Sequence, residues 1–275
     1  MIGNMESESK TKPRQGIQSI EAGTRLLKTL AASHRAMMLK DLAKGAGMAP
    51  AKAHRYLVSY IRCGLIAQNL GTGRYDLGPF ALELGLSSLA RLDLVRLADP
   101  VIEQLCDDID ETVALTVWGN FGPTVIRMVE PATPITVSLR PGAVLPLATS
   151  ATGRAFVAFN RAPAVRRQFE SELKLLAKER NLSLPQLHEE IDPILSEIRS
   201  QKLSRASGSL TPGINGFSAP VFDYTGAMIA SLTTLGAVGH FDDAWISPLA
   251  DRVRQAASEL SKQLGAMASA EAAGR

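Results

Sequence analysis

Apolar residues recur at helical spacing through the first third of the chain, and β-branched residues cluster in short runs beyond it. Ile17–Ala32 puts Ile17, Ile20, Leu26, Leu27 and Leu30 on one face and leaves Arg25 and Lys28 wet, which predicts a first helix. Leu39–Ala46 continues the period through Leu42, Ala43 and Ala46, Gly47 breaks it, and Met48–Arg62 resumes it through Tyr56, Leu57, Tyr60 and Ile61. Gly64-Leu65-Ile66-Ala67 starts a strand, Gly71-Thr72-Gly73 turns it, and Arg74-Tyr75-Asp76-Leu77 starts the return. Helix, tight turn, helix and hairpin outline a winged helix-turn-helix over residues 16–78, a fold that sets one helix in a major groove and a loop along the phosphates.

Pro79–Leu97 reads as one long helix ending before Pro100, with Leu82, Leu86, Leu89, Leu92 and Leu97 three to five residues apart. It is either a linker helix whose leucines pack on a second copy or an ordinary core helix. The spacing then predicts a helix over Val101–Ile109 and strands over Thr112–Trp118, Thr124–Met128 and Ile135–Ser138, punctuated by Gly119-Asn120, Gly122-Pro123 and Pro134. Helices follow over Thr149–Asn160, Pro163–Lys178 and Pro185–Lys202, then a hairpin of Ile214–Phe222 and Ala227–Thr234, then a closing helix over Pro248–Leu264. Mixed helices and an antiparallel sheet over residues 100–264 make this an α+β domain. Residues 1–15 are expected to form a disordered arm and residues 265–275 a frayed tail.

Charge separates the two halves. From Lys10 to Leu77 twelve Lys and Arg stand against Glu21, Asp41 and Asp76, an excess of nine, while the remainder from Gly78 carries four more acidic than basic residues. A basic front on a mildly acidic back calls for a polyanion at the front alone. Cys63 and Cys106 are too isolated for a disulfide framework or a structural zinc site and are expected as buried small hydrophobes in a reducing compartment. The polar Met1–Arg14 stretch has no apolar core of a signal peptide, and no apolar run reaches membrane length, so a cytoplasmic protein without a membrane partner is expected.

A helix that enters a major groove needs a small or polar outer face with basic groups near its start. Ala49-Pro50-Ala51-Lys52-Ala53-His54-Arg55 supplies that face, with Tyr56, Leu57 and Ile61 seating the helix. Lys52 is placed for a base or a phosphate, and either His54 or Arg55 for the backbone or a guanine edge. Ala51 offers only a methyl. Lys40 can meet a phosphate at the start of the preceding helix, Thr72 and Arg74 lie on the wing, and Arg14 or Lys12 can enter a minor groove. One such module makes few contacts, so a homodimer or a dimer of dimers on double-stranded DNA is expected. With four histidines and no His-Glu-x-x-His, Gly-x-Ser-x-Gly or Cys-x-x-Cys arrangement, the sequence offers no enzyme chemistry, metal site or cofactor site. His188 and His240 are expected on the surface or in loops.

The chain also resembles the IclR family of bacterial transcriptional regulators. The likeness runs through Gly16-Ile17-Gln18-Ser19-Ile20, Leu42-Ala43, Gly47, His54-Arg55-Tyr56-Leu57, Gly64-Leu65-Ile66 and Gly73-Arg74-Tyr75-Asp76-Leu77-Gly78. It resumes at Leu147-Ala148-Thr149-Ser150-Ala151-Thr152-Gly153-Arg154-Ala155 and at Ala219-Pro220-Val221-Phe222-Asp223-Tyr224-Thr225-Gly226. The resemblance implies an N-terminal winged helix-turn-helix, a linker and dimerisation helix over residues 79–99, and a GAF-like effector domain. It implies a DNA operator as partner, small-molecule control, and an effector pocket lined by Ser150, Ala151, Gly153, Gly216, Phe217, Thr233 and Leu235. A helix start at Ser150–Gly153 suits a carboxylate, although Gly153 can equally serve close packing. Pro50-Ala51-Lys52 stands where the family has Lys-Ser-Thr. Arg205-Ala206-Ser207-Gly208-Ser209 lacks the family's acidic residues, and Leu235 stands where small polar residues are common. These departures favour a small aromatic or partly apolar carboxylate. The remaining alternative is a back domain that only assembles subunits.

Overall fold

The computed structural model describes residues 16–33, 35–89, 93–132 and 139–266, in two units, Met1–Leu92 and Asp93–Arg275. In the first unit α1 (Gln18–Ser33), α2 (Leu39–Gly45) and α3 (Pro50–Arg62) precede a hairpin of β1 (Ile66–Gln68) and β2 (Tyr75–Leu77), and α4 (Pro79–Leu89) follows. The hairpin is antiparallel with Ala67 opposite Asp76, and Met37 exchanges two backbone hydrogen bonds with Tyr75, so the α1–α2 connection is pinned to the wing. Leu26, Leu30, Leu42, Ala43, Ala46, Ala53, Leu57, Ile66 and Tyr75 form the core. Gly47 turns the chain from α2 to α3 at φ +64°, a conformation that costs glycine little. Gly23 brings α1 against α3: a Cβ there would meet the Tyr60 hydroxyl oxygen at 2.2 Å.

Several expectations shift here. Ile17 and Ile20 stay 64% and 61% exposed, because α1 buries only Gly23, Leu26 and Leu30 and no described residue covers its first turn. Ile61 is exposed as well, so α3 is seated by Ala53 and Leu57 with Tyr56 and Tyr60 half-buried. Cys63 lies exposed at the C-terminal end of α3, whereas Cys106 is buried.

The second unit is a five-stranded antiparallel sheet, in the order β4 (Gly122–Val129), β3 (Thr112–Gly119), β7 (Met228–Ala237), β6 (Ile214–Phe222) and β5 (Ser204–Ser207). Helices α5 (Leu94–Ile109) and α9 (Pro248–Gln263) pack on one face, burying Ile102, Leu105, Val253 and Leu260 against Val113, Leu115, Phe217, Val221 and Leu232. On the other face lies α6 (Ala151–Phe159), backed by α7 (Pro163–Arg180) and α8 (Leu184–Gln201). Phe156 and Ala155 of α6 meet Met228 and Trp118, and Leu173, Leu187 and Ile198 fill the layer behind.

The helix expected over Pro79–Leu97 is two helices. Asp93 breaks the run by capping α5, its carboxylate accepting from the Val95 and Arg96 N–H groups at 3.0 and 3.2 Å. Pro100, expected beyond a helix end, sits inside α5; burial of Val101, Ile102, Leu105 and Cys106 outweighs the one lost backbone bond. Gly122-Pro123, expected as a break, opens β4, and Asn120-Phe121 makes the turn instead. Strand β5 was not anticipated, since it has no β-branched residue; ladder bonds to β6 and the tether of Arg205 to the Asp243 carbonyl hold it. Gly265 closes α9 at φ +85° rather than fraying. The arm with Lys12 and Arg14, the strand expected over Ile135–Ser138 and residues 267–275 lie outside the described residues.

Candidate functional site

Helix α3 opens at Pro50 without a side-chain cap on Ala49, so its Ala51 N–H faces outward unbonded among the described residues. The turn of Ala53 and Leu57 into the core puts Ala51, Lys52, His54, Arg55, Ser59 and Arg62 on the solvent side. No acidic residue occurs in α3, and the side chains of Lys52, His54 and Arg55 form no ion pair among the described residues. The result is a small, methyl-bearing start flanked by cations on a helix with its positive end open. Pro50 is exposed at the first helical position, and Lys40 is exposed in the first turn of α2.

The wing is ordered by Asn69. Its side-chain oxygen accepts from Gly71 N and Thr72 N, both at 3.0 Å, and its backbone pairs with Arg74 O and Gly73 N. Thr72 is exposed and its hydroxyl accepts from Arg74 N at 3.4 Å. Arg74 uses one donor on the Ala36 carbonyl at 3.2 Å, which fixes its guanidinium at the base of the wing with its other donors open.

In the second unit, the sheet face beneath α6 carries a row of hydroxyls. Register puts Ser204 beside Ser218 and Ser218 beside Thr233, and one row along, Ser231 beside Thr116. Thr233 Oγ1 lies 2.8 Å from Thr152 Oγ1 on α6 and 2.9 Å from Ser218 Oγ. The hydroxyls of Thr116, Ser204 and Ser231 are buried without a hydrogen-bond partner among the described residues. Thr116, Thr152, Ser204, Ser218 and Ser231 were missed by sequence reasoning. The signal was there in the small and hydroxyl residues at alternate positions of β6 and β7 (Gly216, Ser218; Ser231, Thr233).

Of the expected pocket residues, Ser150, Ala151, Gly153, Gly216, Thr233 and Leu235 come together at this face. Ser150 caps its own helix, accepting from Gly153 N at 2.8 Å and donating to the Pro146 carbonyl at 2.6 Å. That leaves the Ala151 and Thr152 N–H groups as the open donors of α6 among the described residues. Gly153 serves close packing, since a Cβ there would lie 2.1 Å from the Pro146 oxygen. Gly216 is directly opposite Leu235, whose Cδ2 takes the space a Cβ at Gly216 would need. Phe217 is not at this face: the strand period turns it to the other side, against Phe241 at 5.2 Å and Trp245 at 6.4 Å between ring centroids.

Two further side chains shape the start of α6. Glu172 accepts from Leu147 N and Ala148 N, both at 2.8 Å, and so fixes the preceding turn. Arg154 donates to the Ala148 and Arg205 carbonyls and meets no carboxylate among the described residues. Burial pulls its guanidinium pKa down and the nearby Arg180 charge adds to this, so the site holds uncompensated positive charge. His188 is half-buried on α8 with Glu170 at 3.4 Å, and His240 is exposed after β7.

The IclR helix-turn-helix domain model matches residues 19–70, and the bacterial transcriptional regulator IclR C-terminal model matches residues 86–262. The HTH-type transcriptional regulator BhcR of Paracoccus denitrificans is 26% identical, covering 90% of this chain and 87% of that protein. The crystal structure of Pseudomonas aeruginosa HmgR superposes with a TM-score of 0.81 at 33% identity, covering 92% of this chain and 100% of that one. An IclR homolog from Microbacterium hydrocarbonoxydans, solved with 4-hydroxybenzoate, matches in fold with a TM-score of 0.51 at 20% identity over 90% and 98% of the two chains.

Proposed function

The chain belongs to the IclR family of bacterial transcriptional regulators, DNA-binding proteins and not enzymes, and from that premise we propose a ligand-responsive regulator of a catabolic operon for an aromatic or other organic acid. Residues 16–78 read the operator, through Lys52, His54 and Arg55 of α3 with Ala51 and Pro50 at the groove floor. Lys40, Thr72 and Arg74 hold phosphates, and Arg14 of the N-terminal arm reaches a minor groove. The observation that carries this reading is the uncapped, acid-free start of α3 with its cations turned outward.

Residues 100–264 bind the effector. The open Ala151 and Thr152 N–H groups and the positive end of α6 suit a carboxylate, Arg154 adds charge of the same sign, and the hydroxyl row suits a ring or chain with one further polar group. Leu235 over Gly216 gives the site an apolar wall. A homologue solved with 4-hydroxybenzoate supports the same ligand class. Phe80, Leu82, Leu84 and Leu86 of α4 are all exposed, which supports a homodimer built on that helix and, by repetition, a dimer of dimers. No helix among the described residues is long and apolar enough to cross a membrane.

Thermal unfolding with 4-hydroxybenzoate, benzoate and aliphatic acids tests the effector site. A true effector at about a hundred times its Kd raises stability by about 2.7 kcal/mol and changes duplex affinity. No shift with any acid, in a protein that still binds DNA, leaves a domain that only assembles subunits.

A further inference from the structure

Leu70 stands at the tip of the wing and is 94% exposed, more than any other large apolar side chain among the described residues. The residues around it are polar or absent of side chain: Gln68 and Asn69 before it, Gly71, Thr72 and Gly73 after it, all at the surface or half-buried. The tip is held in one shape by the two Asn69 side-chain bonds, by Gly73 N donating to Asn69 O at 2.7 Å, and by Gln68 Nε2 donating to Gly73 O at 3.3 Å. A rigid loop therefore presents one leucine with nothing beside it to bury against.

We infer that Leu70 is an apolar wedge that the wing inserts into a minor groove of the operator, where it pries apart one base step and bends the duplex; this rests on the reading of the first unit as the DNA-binding one. Three observations choose DNA as the occupant. The segment that carries the wing, Lys10 to Leu77, has an excess of nine positive charges, and Arg74 is fixed at the base of the wing itself. A minor groove is only about 6 Å wide, and Leu70, with Asn69 before it and the glycines Gly71 and Gly73 on the following stretch, stands on a tip slender enough to enter it. A protein-docking surface is a contiguous apolar patch, while this is a single apolar side chain on a polar loop, the pattern of a wedge that unstacks bases. Flexible pyrimidine–purine steps yield most easily, so Leu70 would add a preference for TA or CA beyond the reach of α3.

The test uses the full-length protein and duplexes it enriches from a randomised pool, each carrying 2-aminopurine at a different position. Wild type should raise 2-aminopurine fluorescence at one step in each half-site and bend the duplex in circular-permutation gels. Leu70→Ala should abolish both and weaken binding about tenfold, the scale of one lost base-step contact, with the melting temperature unchanged. Leu70→Met should restore both. Fluorescence that stays flat along the duplex with wild type, or that is the same for wild type and Leu70→Ala, overturns the wedge while Lys52→Ala still reports on α3. A Leu70→Ala protein that changes its oligomeric state but not the fluorescence assigns the tip to a protein contact and overturns it too. Enrichment of no duplex overturns the DNA reading itself and the wedge with it.

Discussion

The Thr152 hydroxyl on α6 lies 2.8 Å from the Thr233 hydroxyl on β7, and Ser218 on β6 approaches the same Thr233 oxygen at 2.9 Å. One side chain thus ties the start of α6 to the neighbouring strands β6 and β7. Thr233→Val keeps the shape and removes the shared partner, leaving two buried hydroxyls unmet. Urea unfolding should show a loss of about 1–3 kcal/mol, and the acid that stabilises wild type should protect the variant less. Wild-type stability in Thr233→Val would mean that the hydroxyl chain holds nothing.

Gly153 and Leu235 let packing be tested apart from the proposed effector binding. At Gly153 an added methyl meets the Pro146 oxygen at 2.1 Å and Leu147 Cα at 2.5 Å, so Gly153→Ala must displace backbone and should cost about 3 kcal/mol or more. Leu235→Ala instead opens space above Gly216. It should cost about 2 kcal/mol and let bulkier ring acids stabilise the protein than wild type accepts. A Gly153→Ala protein as stable as wild type, or unaltered ligand preference in Leu235→Ala, contradicts this division.

How much of this was legible follows from what each residue signals by itself. Gly47 and Leu57 announce the helix-turn-helix, because a left-handed turn and a core-facing period leave marks in sequence. Ala53, read with the outer face of the helix, is instead buried in the core because it lies one turn before Leu57. The α4–α5 break was hidden: the leucine spacing runs on past Asp93, and its capping role needs Val95 and Arg96 folded above it. The family resemblance carried Gly216 and Phe217 together, but neighbours on a strand face opposite sides, so only Gly216 reaches the face beneath α6 while Phe217 enters the core. Ser204–Ser207 carries no strand propensity, and its pairing with β6 is a tertiary fact.

Helix α4 gives a prediction about assembly. Leu82 and Leu86 lie one turn apart and are exposed. If they meet a second copy, Leu82→Asp with Leu86→Asp puts unpaired charge in that interface. Sedimentation velocity should then show a smaller species than wild type, with far-ultraviolet circular dichroism unchanged. An identical distribution would move self-association elsewhere.

Glu111 should give stability a pH dependence. It is buried above Gly236, where a Cβ would lie 2.5 Å from either carboxylate oxygen. Burial pushes its pKa above the usual glutamate value, Asp110 adds to the push, and His240 opposes it. Between the unfolded and folded pKa values the native state binds more protons than the unfolded chain, so stability falls as pH rises through that window and levels off above it. Glu111→Gln should remove this fall and melt higher than wild type at neutral pH, with the gap closing in acid. Parallel melting curves for the two proteins across that range would contradict it.

Salt dependence of duplex binding decides whether α3 is the reading element. With a duplex that the wild-type protein enriches from a random pool, anisotropy between about 50 and 200 mM salt should give a linear fall of log K with log salt. Lys52→Ala and Arg55→Ala should each weaken binding at unchanged melting temperature, with the slope reduced by about 1 for each phosphate contact removed. Affinity indifferent to salt, or untouched in both variants, would contradict a regulator that holds its operator through the outward face of Pro50–Arg62.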